Sequence, residues 1–305
     1  MKERKEWSPA EIALLKRLTQ DGLDAQAIQE EFKRNHLDRT YKSISRKIQK
    51  ERAKNPFEWH AMVRFPSTER FDRNISLRTE NILLLFDIHA PFHDARWINR
   101  AIGLAIKMGC DTVGIGGDLV DFSAFSKWGR QDRVEAEEEI CSAEQIVTAL
   151  AKTFKQVVYC GGNHENRLPR KTDNLLSLIS AMELFVSSPN VEITDYHWFE
   201  VISGGERFYI EHPKNASSYA AAVPRDLCSK FLCHVIAGHG HNWGITRDKS
   251  GQFWAIDAGM CADPLRLAYN AKVHSRGNTM LQGAVILSSG MPLLLCPQNI
   301  AFYGG

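Results

Sequence analysis

LLLFDIHAPFHD, residues 83–94, sets four consecutive apolar residues directly before an aspartate and a histidine two positions apart. A short continuous apolar run predicts a strand that is buried on both faces, since a half-buried strand would alternate apolar and polar residues. Asp87 and His89 follow at once, so this strand is expected to carry a carboxylate and an imidazole to its carboxyl end. Such groups are costly to bury without partners, and their position therefore indicates a functional site.

Two further apolar runs, TVGIG and QVVYC, follow this strand, and segments with helical spacing separate the three. An alternation of strand and helix predicts right-handed crossovers and a parallel sheet covered by helices. Later runs lie close together with little helix between them, and they predict a second, partly antiparallel sheet: YHWFEVIS, ERFYIE, CHVIAGH, FWAIDAG and AVILSS. The sequence thus predicts a layered α/β sandwich.

Polar clusters follow five of these strands. In open α/β sheets, ligands bind beyond the carboxyl ends of the strands, so the clusters are expected to converge on one crevice. Residues two apart in an extended chain point the same way, which would aim Asp87 with His89, and His239 with His241, at one centre each. The clusters, in chain order, are Asp87 and His89; Asp118 and Asp121; Asn163, His164 and Glu165; His212; and His239 and His241.

The donor groups in these clusters are imidazoles, carboxylates and one amide, without a thiolate. This set favours Mn, Fe, Zn or a similar ion and argues against a structural cysteine zinc site. The seven cysteines mostly lie inside apolar runs and form no CxxC pair, so they are predicted to be reduced core thiols.

The order and spacing of the clusters resemble those of the calcineurin-like metallophosphoesterase superfamily, in its bacteriophage-type layout. The resemblance covers residues 80–245 and rests on five motifs: Asp87-x-His89, Gly117-Asp118, Gly162-Asn163-His164-Glu165, a single later histidine, and Gly238-His239-Gly240-His241. It implies a four-layer α/β/β/α sandwich and a site for two divalent metal ions, with Mn favoured and Fe, Zn, Mg or Ni as alternatives. Two such ions would neutralise phosphate oxygens and activate water for attack on phosphorus.

The resemblance also implies a role for each motif residue. His212 is the least typical of them, because Pro213 follows it where the family often has glycine, and His197 and His234 remain alternatives for this ligand. The implied roles are these: first metal, Asp87, His89 and His241; second metal, Asn163, His212 and His239; bridging ligand, Asp118; general acid for the leaving oxygen, His164; and orientation of that acid, Asp121.

The first 55 residues hold 14 Lys and Arg against 9 Asp and Glu, whereas the other 250 residues hold 24 against 27. Helical patterns start at Ser8, Asp24 and about Thr40, and the third is expected to bury Tyr41, Ile44 and Ile48. Three short helices with a basic last helix resemble helix-turn-helix or Myb-like DNA-binding modules. The alternative is a solvated charged helix that only docks on the main domain. The cations predicted to contact nucleic acid are Lys42, Arg46, Lys47 and Lys50.

These features predict three parts: a three-helix module at 1–55, a connector at 56–80 and a phosphoesterase domain at 81–305. No run approaches the ~18 apolar residues of a membrane span, and the N-terminus lacks the apolar core of a signal peptide. We therefore expect a cytoplasmic protein with no membrane partner.

The choice of phosphate ester depends on the segment after the second motif. Ser/Thr protein phosphatases of the superfamily have an arginine there that clamps a dianionic monoester, but this chain has Phe122. Arg167 or Arg170 is the predicted replacement contact with the substrate phosphate. The aromatic rings of Phe122, Phe125 and Trp128 either stack on an unpaired base or pack in the core, and packing is the favoured interpretation.

The missing arginine and the basic module together favour a metal-dependent phosphodiesterase or nuclease that acts on DNA. A tethered DNA-binding module raises the local concentration of substrate without changing the active site. Two alternatives remain at this stage. One is a phosphomonoesterase for nucleotides or phosphoproteins, and the other is a DNA-binding regulator without catalysis.

Overall fold

A computed structural model describes residues 6–60, 74–126, 134–267 and 280–304. The chain divides into two units, Met1–Arg70 and Phe71–Gly305. The smaller unit contains three helices and a 3-10 turn: α1 (Pro9–Gln20), α2 (Ala25–Arg34), α3 (Tyr41–Lys54) and the turn Pro56–Glu58. This turn and Trp59 belong to the smaller unit, although the sequence places them in the connector.

The helices of the smaller unit start where the sequence predicts. Ser8 and Glu11 form a capping box, in which the Glu11 amide donates to Ser8 Oγ at 3.2 Å and the Ser8 amide donates to Glu11 Oε2 at 2.8 Å. Asp24 accepts from two amides in the first turn of α2, and Thr40 accepts from the amide of Ser43 in α3. Each cap satisfies amides that would otherwise lack a partner at the helix start.

Apolar side chains from all three helices meet in one core, together with Trp59. Its buried members are Leu15, Leu18, Ile28, Phe32, Ile44, Ile48 and Trp59. Tyr41, which the helical spacing places inward, is instead 51% exposed. The contact of α3 with the core starts one turn later, at Ile44, so the first turn of the helix stays outside the core. Trp59 extends the core past the other end of α3.

Glu11 and Arg39 form a buried ion pair in this unit. Nε and Nη2 of Arg39 each donate to a different carboxylate oxygen of Glu11 at 2.8 Å, and both side chains are less than a tenth exposed. The Arg39 guanidinium also lies 4.5 Å from the centre of the Trp7 ring. The hydrogen bonds from Arg39 lower the pKa of the Glu11 carboxyl to about 2.

We expect Glu11→Gln to destabilise the smaller unit by about 3 kcal/mol, because it leaves a buried guanidinium without its counter-charge. In the wild type, the lowered pKa of Glu11 gives stability that is complete above its ordinary pKa of 4.5 and is lost as the pH falls towards 2. Thermal denaturation at pH 7 and pH 3, followed by circular dichroism, measures both effects.

An exposed ion pair in the same unit serves as the control. Glu58 Oε2 lies 2.8 Å from Lys16 Nζ, and both side chains are at least a third exposed. Glu58→Gln is expected to cost less than about 1 kcal/mol, since solvent screens exposed pairs. Equal losses for the two variants would contradict the role assigned to the buried pair.

The described residues of the larger unit form two six-stranded sheets. The strands are β1 (Ser76–Arg78), β2 (Asn81–Leu85), β3 (Thr112–Gly116), β4 (Gln156–Cys160), β5 (Val191–Thr194), β6 (Trp198–Ser203), β7 (Glu206–Glu211), β8 (His234–Ala237), β9 (Trp243–Arg247), β10 (Trp254–Ala258), β11 (Ala284–Ser288) and β12 (Met291–Leu295). The first sheet has the order β12-β11-β2-β3-β4-β5, and the second has the order β1-β6-β7-β8-β10-β9.

Helices cover the outer faces of both sheets. They are α4 (Ala95–Lys107), α5 (Ala136–Thr153), α6 (Arg167–Lys171), α7 (Leu178–Glu183) and α8 (Ala222–Phe231). Leu83 and Leu85 of β2 pack with α4 and α5, whereas Ile82 and Leu84 face the second sheet. The other face of the second sheet packs on α8. The predicted four-layer α/β/β/α sandwich is therefore confirmed. Within the described ranges, no helix has both the length and the apolar character needed to cross a membrane.

The sequence assigns the run AVILSS to the second sheet, but in the structure this strand belongs to the first sheet. AVILS, now β11, pairs antiparallel with β2, and Val285 lies opposite Leu84. Its unbroken apolar run requires burial on both faces, which the place beside β2 provides between helices and the second sheet. β1 lies in the predicted connector and pairs in parallel with β6. The predicted antiparallel character of the second sheet comes from the β6–β7 and β9–β10 pairs.

Candidate metal centre

The predicted clusters meet at one edge of the two sheets. β2, β3 and β4 are parallel neighbours in the first sheet, and β7 and β8 are parallel neighbours in the second. Their carboxyl ends therefore lie side by side, and the loops that follow them face one another. Three groups of side chains there have ligand atoms within 4.8 Å of each other: Asp87, His89 and His241; His89, Asp118 and His164; and Asp118, His212 and His239.

The backbone that presents these groups is turned, which corrects the expectation of extended chain. Five of the seven predicted ligands have positive φ angles of 49° to 70°: Asp87, His89, Asp118, His239 and His241. Residues other than glycine rarely adopt this conformation, which costs about 1–3 kcal/mol each and is concentrated at functional sites. The pairs Asp87 with His89 and His239 with His241 do reach common groups, but tight turns after β2 and β8 bring them there.

Glycine is required where the loops approach each other. A Cβ atom on Gly162 would lie 2.1 Å from Asp118 Oδ1 and 2.4 Å from the Asp118 amide nitrogen. Gly117 has a φ of 91°, and a Cβ there would lie 2.5 Å from Nδ1 of His212. Larger residues at these positions would push the loops apart.

The first group consists of Asp87, His89 and His241. Nε2 of His241 lies 3.1 Å from Nε2 of His89 and 3.3 Å from Oδ1 of Asp87. The other oxygen of Asp87 accepts a hydrogen bond from the His239 amide at 2.9 Å. One carboxylate oxygen is thus held by the backbone, and the other faces the two imidazoles.

The second group has the same design around Asp118. Oδ1 of Asp118 accepts from the His164 amide at 2.8 Å, while Oδ2 lies 3.2 Å from Nε2 of His212. Oδ1 of Asn163 lies 3.1 Å from the same His212 nitrogen, and the His212 and His239 rings are 5.2 Å apart. Asp118 is also a member of the third group, together with His89 and His164. The Asp118 carboxylate therefore lies between the two predicted metal positions.

The protonation pattern of two histidines fits metal binding. Nδ1 of His89 donates to Asp121 Oδ1 at 2.9 Å, and Nδ1 of His212 donates to the Gly116 carbonyl at 3.0 Å. Each bond occupies Nδ1 and turns Nε2 towards the other predicted ligands, so Nε2 is the atom that would bind a metal. Metal-binding histidines are commonly oriented by a carboxylate or a carbonyl in this way. Together with the nitrogen and oxygen donor set, this arrangement fits divalent ions.

The electrostatics of the site favour positive charge. Burial raises the pKa of the Asp118 carboxyl, but His164 and His212 outweigh it and hold that pKa well below its usual range. Burial lowers the pKa of His212, yet Asp118 and then Asp87 raise it to about 10. Strong perturbation of several buried groups in one cleft is typical of functional sites.

The alternatives to His212 lie outside these groups. Nδ1 of His197 donates to the Gly161 carbonyl at 2.7 Å, and its Nε2 lies 3.1 Å from Nδ2 of Asn166. His234 stands at the opposite, amino-terminal end of β8 and accepts from the Trp254 amide at 2.8 Å. Of the three histidines, only His212 lies with Asp118 and His239.

His164, the predicted general acid, lies between Asp121 and Arg167. Its Nδ1 is 2.8 Å from the Asp121 carbonyl oxygen and 3.0 Å from Oδ1 of the same residue. Nη2 of Arg167 donates to its Nε2 at 2.8 Å, and Nη1 of Arg167 donates to the Asp121 carbonyl. Asp121 contacts both His164 and His89, a double role that the sequence did not indicate.

The two arginines predicted to contact phosphate differ in position. Arg167 is one fifth exposed and contacts His164 and Asp121. Arg170 is exposed on α6, and no described hydrogen bond or ion pair joins its side chain to the cluster. Arg167 is therefore the arginine that the fold brings to the site.

Glu165 holds together two loops that carry predicted ligands. In the sequence, only its place in the Gly162-Asn163-His164-Glu165 motif pointed to a role. The carboxylate is fully buried, and burial, followed by the proximity of Asp118, raises its pKa. It accepts five hydrogen bonds of 2.7 to 3.3 Å, from the amides of Asp118, Leu119, Val120 and Gly162 and from the hydroxyl of Tyr159. Glu165 thereby joins the loop that carries Asp118 to the loop that carries Asn163.

Glu165→Gln should lower both stability and metal content. A neutral side chain places an NH₂ group against amide donors, and loss of hydrogen bonds to a buried charged group costs about 3 kcal/mol or more. Elemental analysis after dialysis and thermal denaturation measure the two effects.

Glu139 offers a matched control, because it is also buried but uses one oxygen only. Its Oε1 accepts from the amide and hydroxyl of Ser123, and its Oε2 takes part in no hydrogen bond among the described residues. Burial raises the pKa of Glu139 as it does that of Glu165, so the two carboxyls differ chiefly in the number of hydrogen bonds they accept. Glu139→Gln is expected to keep the metal, and an equal metal loss in both variants would remove the special role of Glu165.

The aromatic segment after Asp121 packs in the core. Phe122 is fully buried, and its ring centre lies 5.5 Å from that of Phe125 and 6.3 Å from that of Phe185. Packing, the favoured interpretation, therefore holds for Phe122, and its ring is not accessible to a base. Trp128 lies outside the described residues.

The four predicted nucleic-acid contacts lie on α3 of the smaller unit. Lys42, Arg46 and Lys50 are exposed and follow one another at intervals of four residues, so they share one face of the helix. Lys47 is mostly buried and pairs with Glu51 at 2.8 Å. Three cations therefore form an exposed stripe, and the fourth belongs to an ion pair.

Comparison with known proteins decides the family. Residues 81–274, more than half of the chain, match the family model described as calcineurin-like phosphoesterase. The chain belongs to this family. It is therefore a metal-dependent phosphoesterase, a hydrolase, and the clusters above are the residues suited to the divalent metals that the family binds.

The individual proteins that resemble this phosphoesterase have low sequence identity to it. The gene 54 protein of Mycobacterium phage L5 is 26% identical over 206 residues, which cover 59% of this chain and 79% of that protein. Among solved structures, a single mutant of Vps29 from Entamoeba histolytica has 10% identity and a TM-score of 0.36, and the alignment covers 70% of this chain and 97% of the Vps29 chain. Vacuolar protein sorting 29 from Cryptosporidium parvum has 12% identity and a TM-score of 0.36, covering 71% and 95%.

The residues of the phosphoesterase site divide the work of hydrolysis. The groups around Asp87 and Asp118 would hold divalent ions, which would supply charge neutralisation for phosphate oxygens and activation of water. Asp121 holds Nδ1 of His164, so that in the predicted mechanism Nε2 would be the atom that protonates the leaving oxygen. Because Arg167 donates to that same nitrogen, Nε2 carries no proton in this arrangement. The predicted acid role therefore requires the guanidinium to move away and Nε2 to take up a proton from solvent before one can be passed to the leaving oxygen.

Proposed function

We propose that this protein is a phosphodiesterase or nuclease that acts on DNA with manganese as its metal. The observation that carries the choice of DNA is the exposed stripe of Lys42, Arg46 and Lys50 on α3. Cations spaced along one helix face match the regular negative charge of a nucleic-acid backbone. The three-helix unit resembles helix-turn-helix or Myb-like modules, in which the last helix lies in the major groove.

Two features of the catalytic site support a diester. The buried Phe122 stands where protein phosphatases of the superfamily have an arginine, so that position offers no charge to a dianionic monoester. Arg167 supplies a single guanidinium at the site edge, which suits the single negative charge of a diester. The mixed oxygen and nitrogen donors suit manganese, with Fe, Zn, Mg and Ni as alternatives.

The decisive assay compares substrates side by side with added manganese: single-stranded DNA, duplex DNA, RNA, bis-p-nitrophenyl phosphate and p-nitrophenyl phosphate. We expect DNA and the bis ester to be hydrolysed faster than the monoester. Faster hydrolysis of p-nitrophenyl phosphate would support the alternative, a phosphomonoesterase for nucleotides or phosphoproteins. The regulator hypothesis requires no turnover at all, which family membership disfavours.

DNA binding by the stripe has its own test. In the presence of a chelator, which prevents cleavage, we expect the triple variant Lys42→Gln, Arg46→Gln and Lys50→Gln to reduce the slope of log affinity against log salt by about 3, since each phosphate contact contributes ~0.9. Lys47→Gln, on the same helix but in an ion pair, is the matched control and should leave the slope nearly constant. An unchanged slope in the triple variant would refute the DNA-binding role of α3.

A further inference from the structure

The loop between β7 and α8, residues 213–221, borders the metal centre and is here termed the rim loop. It starts directly after His212 of the second metal group and ends at Ala221, the residue before α8. Most of its side chains are exposed, including Lys214 and Tyr219, and Tyr219 exposes 78% of its surface. A large aromatic ring is thus presented to solvent within seven residues of a predicted metal ligand.

Hydrogen bonds attach the rim loop to the residue after His241 and to β10. Nδ2 of Asn242, the residue after His241, donates to the Ser217 carbonyl at 2.8 Å. The Ala221 amide donates to Oδ2 of Asp257, a buried carboxylate of β10, at 2.7 Å. The backbone of the loop is therefore fixed at both sides of Tyr219.

The packing of the loop on β9 is also close. A Cβ atom on Gly244 would lie 2.8 Å from the Cβ of Ala220, so glycine is needed there for the loop to approach. The rim loop is thus attached to three segments: the residue after His241, β10 and β9.

Lys214 gives the rim loop a positive charge next to the site. Lys214 is exposed and stands two residues after His212, a member of the second metal group. Arg167 lies at the edge beside His164. A polyanion that passes over the metal centre would therefore meet a cation on the rim loop as well as the guanidinium.

We infer that the rim loop binds the nucleotide next to the scissile phosphate of a single-stranded substrate, with the Tyr219 ring stacked on the base and the Lys214 ammonium on the adjoining phosphate. This inference rests on the proposed function, which it narrows to substrates with an unpaired base near the metals. Exposed aromatic rings beside a cationic groove are the usual elements of single-strand binding, because every base offers a face for stacking. A paired base would have its faces covered by its neighbours in the duplex.

The test separates base stacking from charge. Two inhibitors are compared, the tetranucleotide (dT)₄ and a tetramer with the same phosphates in which every base is removed and the sugar is a tetrahydrofuran. Both are assayed as competitive inhibitors of the p-nitrophenyl ester that the wild-type protein hydrolyses best, so that only binding at the catalytic site is measured. We expect (dT)₄ to inhibit the wild type about 5- to 100-fold more strongly than the base-free tetramer, the range produced by stacking of one base.

Variants then assign the effect to residues. Tyr219→Ala should abolish the difference between the two inhibitors, and Tyr219→Phe should retain it. Lys214→Gln should weaken both inhibitors by the same factor. Tyr303→Ala is the matched control, because Tyr303 is also an exposed tyrosine, with 45% of its surface accessible. It lies far from the metal centre, since the carbonyl of the next residue, Gly304, accepts a hydrogen bond from Lys107, the last residue of α4.

Each result decides the inference. Equal inhibition of the wild type by the two tetramers, or a difference that survives Tyr219→Ala, would overturn it. This outcome is independent of the proposed function, because the assay measures inhibition and makes no use of DNA cleavage. Failure of the wild type to cleave DNA in the substrate comparison would instead overturn the proposed nuclease activity.

Discussion

Asp118→Asn is expected to reduce phosphoester hydrolysis by about 10³-fold or more and to lower the content of both metals. The Asp118 carboxylate is buried between the two predicted metal positions, with Oδ1 held by the His164 amide and Oδ2 directed at His212. Asparagine keeps the shape but removes the charge that holds the cations. Metal ions supply several kcal/mol of charge stabilisation, and each ~1.4 kcal/mol corresponds to a tenfold change in rate.

The matched control for Asp118→Asn lies just before the same strand. Asp111 directly precedes β3, at the end opposite Asp118, and pairs with Lys155 at 3.1 Å in an exposed position. Asp111→Asn should therefore retain both metals and nearly full activity. Elemental analysis and initial rates measure the two variants in parallel. Full activity in Asp118→Asn would exclude Asp118 as the bridging ligand.

His164→Ala is expected to lose about 10²- to 10⁴-fold in turnover while it keeps its metals, as befits a general acid that is not a ligand. The imidazole is held by Asp121 at Nδ1, and its Nε2 faces Arg167 at the site edge. Because p-nitrophenolate leaves without needing a proton, the loss should be smaller for p-nitrophenyl esters than for a substrate with a sugar hydroxyl as leaving group.

Two measurements make the interpretation of His164→Ala specific. If metal content falls together with the rate, His164 is a ligand, as its place in the group with His89 and Asp118 would then indicate. His234→Ala is the contrasting variant, because His234 packs on Phe208 and accepts from the Trp254 amide at the far end of β8. It should lower the melting temperature but show no dependence on the leaving group.

Local patterns in the sequence were sufficient for most elements of secondary structure. Ser8, Asp24 and Thr40 start the three helices because a side-chain oxygen can cap amides two or three residues away, a contact that needs no distant partner. The unbroken run of β2 indicated burial on both faces, and the structure shows helices on one face and a sheet on the other. The partner of β11 could not be read in this way, since a run that is apolar on both faces fits either sheet.

The candidate site was likewise predictable from the sequence only in part. The residues that converge were recognisable as motifs at strand ends, including His212 despite the proline that follows it. Their backbone conformation was not recognisable, because the positive φ angles of Asp87 and His89 are imposed by contacts with the neighbouring loop, such as the His89 amide donating to the Asp118 carbonyl at 3.0 Å. The exposure of Tyr41 likewise depends on where the three-helix core begins.

By itself, the sequence determined which elements form and which chemical groups stand at their ends, because caps, periodicity and strand-end motifs depend on residues close together in the chain. Only the tertiary structure decided that Glu165 ties the Asp118 loop to Gly162 and that Asp121 serves both His89 and His164. The physical reason is that most of these bonds join atoms from segments tens of residues apart, and their partners are chosen by packing.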